Sequence, residues 1–254
     1  MVQAHSPLWH YLSVAPRVLL AVLAFAMWRR GLRRQFPAFF SYTIFEAVGG
    51  AAIYAVYMSP SVSSATYWWS YLSFLAIEVF IKFVVIGEVF TNLFRAYPSI
   101  GRLAKSLITA AGIVLVFAGS LIAAYASPGS FWFVSATRIL GRSVSVVQCG
   151  LILFLFLLAA RFHLTWSRPV LGIALGLGVM ASVYVAYWAL LADWLLGTKS
   201  YKLDFLVMST YHLCVLIWCY YLLVPHKSAI TSAAALPENN LAAWNRELER
   251  LLQP

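Results

Sequence analysis

Apolar runs of bilayer length, broken by short polar or basic stretches, fill the chain from Leu8 to Val224. A helix rises about 1.5 Å per residue and needs about 20 predominantly apolar residues to cross a membrane. The pattern therefore predicts seven crossing helices, at about Leu8–Trp28, Pro37–Tyr57, Tyr67–Phe94, Ser106–Tyr125, Phe131–Ala160, Val170–Leu196 and Phe205–Val224. No Lys or Arg precedes the first apolar core, so it reads as a retained span rather than a cleavable signal. The third opens with TYWWSY, an aromatic cluster suited to a membrane interface. The sixth carries Gly172 and Gly176 in GxxxG spacing, with Gly178 beside them, which suits close helix approach.

After Val224 the pattern changes. Residues 1–227 form the membrane domain, 228–236 a small linker, and 237–254 a segment with Leu241, Trp244, Leu248 and Leu251 on one helical face. Pro237 followed by Glu238 suits a helix start. This predicts an amphipathic helix on the cytoplasmic membrane surface or docked on the bundle, with binding to a partner protein as the alternative.

Composition agrees with this all-α, polytopic membrane bundle. Of 254 residues, 63% are hydrophobic and 10% charged, whereas a soluble domain is roughly a quarter charged. The net charge of +10 invites a nucleic-acid partner, but the Lys and Arg sit mostly in short loops. There they act as orientation signals and contacts to anionic lipid. Loops one, three and five carry four, three and two of them; loops two and four carry none, and the two in loop six have Asp193 and Asp204 beside them. Positive loops stay inside, so the N-terminus is expected outside and the C-terminus in the cytoplasm. Cys149, Cys214 and Cys219 form no CxxC pair, which supports neither a disulfide framework nor a thiol redox site. The chain has no HExxH, phosphate-binding loop or nucleophile elbow, so no catalytic residue, metal site or cofactor is expected.

The third helix changes the picture, because Glu78, Lys82 and Glu88 lie inside it. A charge at bilayer depth costs about 3 kcal/mol or more unless it is paired or faces a cavity. Glu78 and Lys82 are four residues apart, on one face, and can pair. Glu88 falls near the cytoplasmic edge, where Arg95 or a loop arginine is its expected partner. Arg138 and Arg142 share a face of the fifth helix with Ser135, Ser145 and Cys149. Matching depths predicts two cross-helix ion pairs, Glu46 with Arg17 and Glu78 with Arg142. Lys82 and Arg138 are then left without dedicated acids. That surplus suggests a water-filled outer-half cavity for an anionic ligand, lined by Glu78, Lys82, Arg138, Arg142 and His212; the alternative is a set of helix clamps with Arg138 snorkelling to the surface. His212 reads as a core histidine bonded to Tyr, Ser or backbone before it reads as a pH sensor or haem ligand.

The layout of seven helices, outside N-terminus and cytoplasmic amphipathic helix resembles that of rhodopsins and receptors. Phe205–Val224 contains no lysine, so the retinal attachment point of microbial rhodopsins is missing. RRGLRRQFPAFFSYTIFE and the WNRELERLL tail are similar to an uncharacterised family of bacterial seven-helix membrane proteins, a likeness that brings no activity with it. The expected function is a sensor or receptor-like module of the bacterial inner membrane that binds a small anionic or amphiphilic ligand and signals to a cytoplasmic or membrane partner. A transporter or channel for a small solute or proton, or a structural subunit of a larger membrane complex, are the alternatives.

Overall fold

A computed structural model of the chain describes residues 6–59, 61–95, 132–162, 164–193 and 201–224, with isolated helical positions at 106, 109, 110, 112, 113 and 250. The predicted fourth helix lies outside the described residues apart from those isolated positions, and so does nearly all of the amphipathic tail. Among the described residues the fold is all helical: α1 (Pro7–Arg29), α2 (Pro37–Met58), α3 (Ser64–Leu93), α4 (Trp132–Arg161), α5 (Arg168–Asp193) and α6 (Tyr201–Leu223). The last three are the predicted fifth, sixth and seventh helices. Every one of these helices except α3 contains a stretch long and apolar enough to cross a membrane, five in all. The protein is a multi-pass membrane protein. α3 is as long as α4 but carries its three charges.

Local chemistry sets the ends. Ser6 caps α1, its Oγ accepting from the Trp9 amide at 3.3 Å, and Pro7 occupies the first turn. Gly31, at φ 72°, supplies the left-handed residue that stops α1. α1 buries Leu12, Pro16, Leu20, Leu23 and Met27 and leaves Val14, Val18, Val22 and Phe25 exposed. Being apolar on both faces suits a helix with protein on one side and lipid on the other.

Consecutive described helices run antiparallel except across residues 96–131. His10 meets Tyr54 and Arg17 lies along Gly50, so α1 and α2 oppose each other. Phe45 stacks on Phe74 and Tyr57 meets Tyr67, so α2 and α3 do likewise. Cys149 reaches Ser182 between α4 and α5. Gly176 seats Trp218 between α5 and α6. α1 and α6 close the ring and run parallel, because Arg30 just past α1 donates to the carbonyls of Leu222 and Leu223 at the end of α6. α3 and α4 also run parallel: Phe83 packs with Val144, and Phe90 with Phe154. The Arg30 end is a tight apolar core, with Leu23, Met27, Phe36, Phe39, Phe90, Phe94 and Trp218 almost wholly buried.

The GxxxG pair packs as expected. A Cβ on Gly172 would lie 2.2 Å from the Tyr221 Cβ, and one on Gly176 would lie 2.1 Å from the Trp218 Nε1. Tyr221 Cβ is fixed to its backbone, so α5 and α6 would have to part. Gly172→Ala is expected to cost about 1–3 kcal/mol as an overpacking change. Thermal unfolding in detergent checks it, and an unchanged midpoint would mean that the two helices are not in this contact.

Candidate functional site

Glu46, Glu78 and Lys82 gather between the Arg30-end core and the aromatic rings at the Ser6 end. α3 supplies Glu78 and Lys82, which form an ion pair one turn apart, with side chains 16% and 12% exposed. α2 supplies Glu46, buried at 6% exposure. Its Oε2 accepts from the Tyr211 hydroxyl of α6 at 3.0 Å. Its Oε1 is buried with no hydrogen-bond partner among the described residues. The Glu46 carboxyl also faces Glu78 and Lys82 across the α2–α3 seam. Two carboxyls, one ammonium and one phenol thus tie α2, α3 and α6 together.

The predicted pairs form differently. Glu78 is held by Lys82 rather than by Arg142, because the partner one turn away on the same helix needs no cross-helix register. Arg142 is exposed on α4. Arg17 lies against Gly50 with its guanidinium 5.8 Å from the centre of the Tyr54 ring. It is near enough to Glu46 to feel its charge, but Tyr211 makes the bond and no Arg17–Glu46 ion pair forms within 4 Å among the described residues. Arg138 lies on α4, and its side chain falls outside the described residues. His212 packs its ring 5.6 Å from that of Tyr11, and its Nδ1 is buried with no partner among the described residues. Of the five residues expected to line one outer-half cavity, Glu78 and Lys82 stand together, Arg142 is exposed and His212 faces α1, while the side chain of Arg138 is not among those described.

Glu88 also differs from expectation. Both of its carboxylate oxygens accept from the start of α2, from the amides of Ala38 and Phe39 at 2.9 Å each. α2 begins with Pro37 behind a Phe36 that offers no side-chain cap, so its first amides are unsatisfied and take an acid from α3.

Sequence reasoning did not single out Tyr42, Gln148 or Tyr184 for this centre. They and Lys82 line a cavity of about 10 Å³, bordered also by Ile86, Met180 and Trp218 among others. That is room for about one water molecule. Lys82 Nζ lies 5.9 Å from the centre of the Tyr184 ring. The signal available beforehand was Gln148, an amide four residues past Val144 on the packed face of α4. The three cysteines are free. Among the described residues no group of three His, Cys, Asp or Glu side chains is placed to hold a metal ion.

The chain matches no family model, no curated protein and no solved structure.

Proposed function

We propose that the protein is a receptor-like sensor module with seven membrane crossings, and that the Glu46–Glu78–Lys82–Tyr211 centre is its ligand-responsive site. The observation that carries this reading is the centre itself. Ionisable groups from α2 and α3 and a phenol from α6 are buried together, with unspent bonding capacity, beside a small void and with no catalytic constellation. Charged groups kept inside a membrane bundle are costly, and their retention is a sign of function. Helix ends that meet at Leu222 and Ala38 offer a path by which a change at the centre reaches the Arg30 end.

The topology follows the same reasoning. The parallel run of α3 and α4 supports one more crossing between them, at 106–125. With the arginine-rich loops inside, the N-terminus is outside and the Arg30 end faces the cytoplasm of a bacterial inner membrane. In this reading the tail at 237–254 lies on the cytoplasmic side and passes the signal to a cytoplasmic partner. The void is small, about 10 Å³, which favours a ligand that is small and polar. It also favours one other role for the same centre, that of a proton pathway.

Glu46→Gln and Tyr211→Phe keep the shape of the centre and remove its charge or its cross-helix bond. Native mass spectrometry of the gently solubilised full chain is expected to find a small bound species or a stoichiometric partner that both variants lose while remaining folded. Variants that alter stability alone, with nothing bound to the parent protein, would reduce the centre to a helix clamp. Proton flux into liposomes, abolished by Glu46→Gln, would move the assignment to transport.

A further inference from the structure

The cavity beside Lys82 has a chemical bias that its size does not reveal. Five helices meet there, with Tyr42 from α2, Lys82 from α3, Gln148 from α4, Tyr184 from α5 and Trp218 from α6 on its wall. No Asp or Glu lines it. An ammonium carries three donors and no acceptor, and among the described residues Lys82 donates one hydrogen bond, to Glu78. Gln148 is 8% exposed, and its Nε2 is buried with no hydrogen-bond partner among the described residues. Trp218 spends its donor on the Ile173 carbonyl at 3.4 Å. Lys82 and Gln148 therefore bring unspent donors to the wall, and a buried donor left unmade is costly. A cation is excluded by Lys82, and carboxylates, phosphates and sulfates are excluded by size.

We propose that this void is a binding site for a single small hydrogen-bond acceptor, a water molecule or a halide ion, held by Lys82 and Gln148. Its position gives the occupant a role. α3 meets α4 and α5 along far narrower seams than α5 shares with α6. An acceptor bonded to Lys82 on α3 and Gln148 on α4 bridges one of these narrow seams. It also extends the polar chain Tyr211–Glu46–Glu78–Lys82 to α4, so that occupancy biases how α3 sits against α4 and α5. This rests on reading the centre as ligand-responsive and names the size and chemistry of what binds there.

The test compares the full chain with Gln148→Met, which keeps length and volume and removes the amide. An occupied site makes Gln148→Met less stable, because a bonded donor is lost. An empty site makes it as stable as the parent or more so, because an orphaned polar group is replaced by an apolar one. Thermal midpoints in detergent are taken in sodium chloride, sodium bromide and sodium gluconate, and a crystal is grown in bromide. The expected result is a fall in midpoint for Gln148→Met together with density next to Lys82 Nζ. An anomalous bromide peak, with a halide-dependent midpoint that the variant loses, assigns an anion. A light-atom peak with a halide-independent midpoint assigns water. A midpoint that is unchanged or raised in Gln148→Met, with no density in the void, overturns the site. That result leaves the sensor reading standing, since it is tested separately on Glu46 and Tyr211.

Discussion

Lys82→Met unfolds the bundle more readily than any other single change at the centre, by about 3–5 kcal/mol, the cost of removing one partner from a buried ion pair. Methionine fills most of the lysine's volume, so the loss is electrostatic. Glu78 and Glu46 then face each other in a largely buried place with no ammonium between them. The same reasoning predicts a rescue. Lys82→Met combined with Glu78→Leu removes both members of the pair, and replacing a buried pair by apolar groups is often neutral or stabilising. The double variant is therefore expected to recover most of the lost stability. Urea or thermal unfolding of the parent, the two single variants and the double variant forms a mutant cycle that isolates the coupling. Additive losses would mean that Lys82 and Glu78 are solvated separately and that no buried centre exists. If the sensor reading holds, the stable double variant is also silent, because the charges have gone while the fold remains.

Much of this architecture was legible in the chain. The apolar runs gave the described helices to within a few residues, as the physics of a spanning helix requires, and Gly172 and Gly176 announced a close α5–α6 contact that Tyr221 and Trp218 fill. Glu78 and Lys82 announced their pairing by being four residues apart. What could not be read was which residue answers which across helices. Depth counting matches a carboxylate to an arginine at the same level, but it says nothing of azimuth, and Arg142 turns outward while Glu46 meets a phenol from the far end of the chain. Uncharged partners were invisible for a related reason. Tyrosine and glutamine at helical spacing look like packing, and only the ring closure of α6 against α1 brings Tyr211 to Glu46. Glu88 was misassigned because charge was matched to charge, whereas the strongest local demand came from the uncapped amides of α2.

Glu88→Ala is expected to cost about 3 kcal/mol, next in size to Lys82→Met. Hydrogen bonds to an ionised group contribute about 1.5–3 kcal/mol each; Glu88 accepts two, from Ala38 and Phe39, and its half-buried position puts each near the low end. The negative charge also sits at the positive end of the α2 dipole, a further few tenths to about 1 kcal/mol. Glu88→Gln keeps one oxygen and loses the charge, so it should fall between alanine and the parent. The loss is expected to begin locally. With its cap gone, α2 frays from Pro37, and amide exchange at Ala38, Phe39 and Phe40 should quicken before exchange in α5 or α6. Fraying has a consequence for the centre, because Glu46 lies two turns further along the same helix. A register change at the start of α2 alters the distance from Glu46 to Tyr211 and to Glu78. Glu88→Ala should therefore also weaken whatever response depends on Glu46, although it touches neither the void nor the ion pair. The link runs equally well in reverse: a ligand that tightens the centre should slow exchange at the start of α2. Exchange at Ala38 and Phe39 that is indifferent to both the Glu88 change and the state of the centre would show that the two ends of α2 are uncoupled.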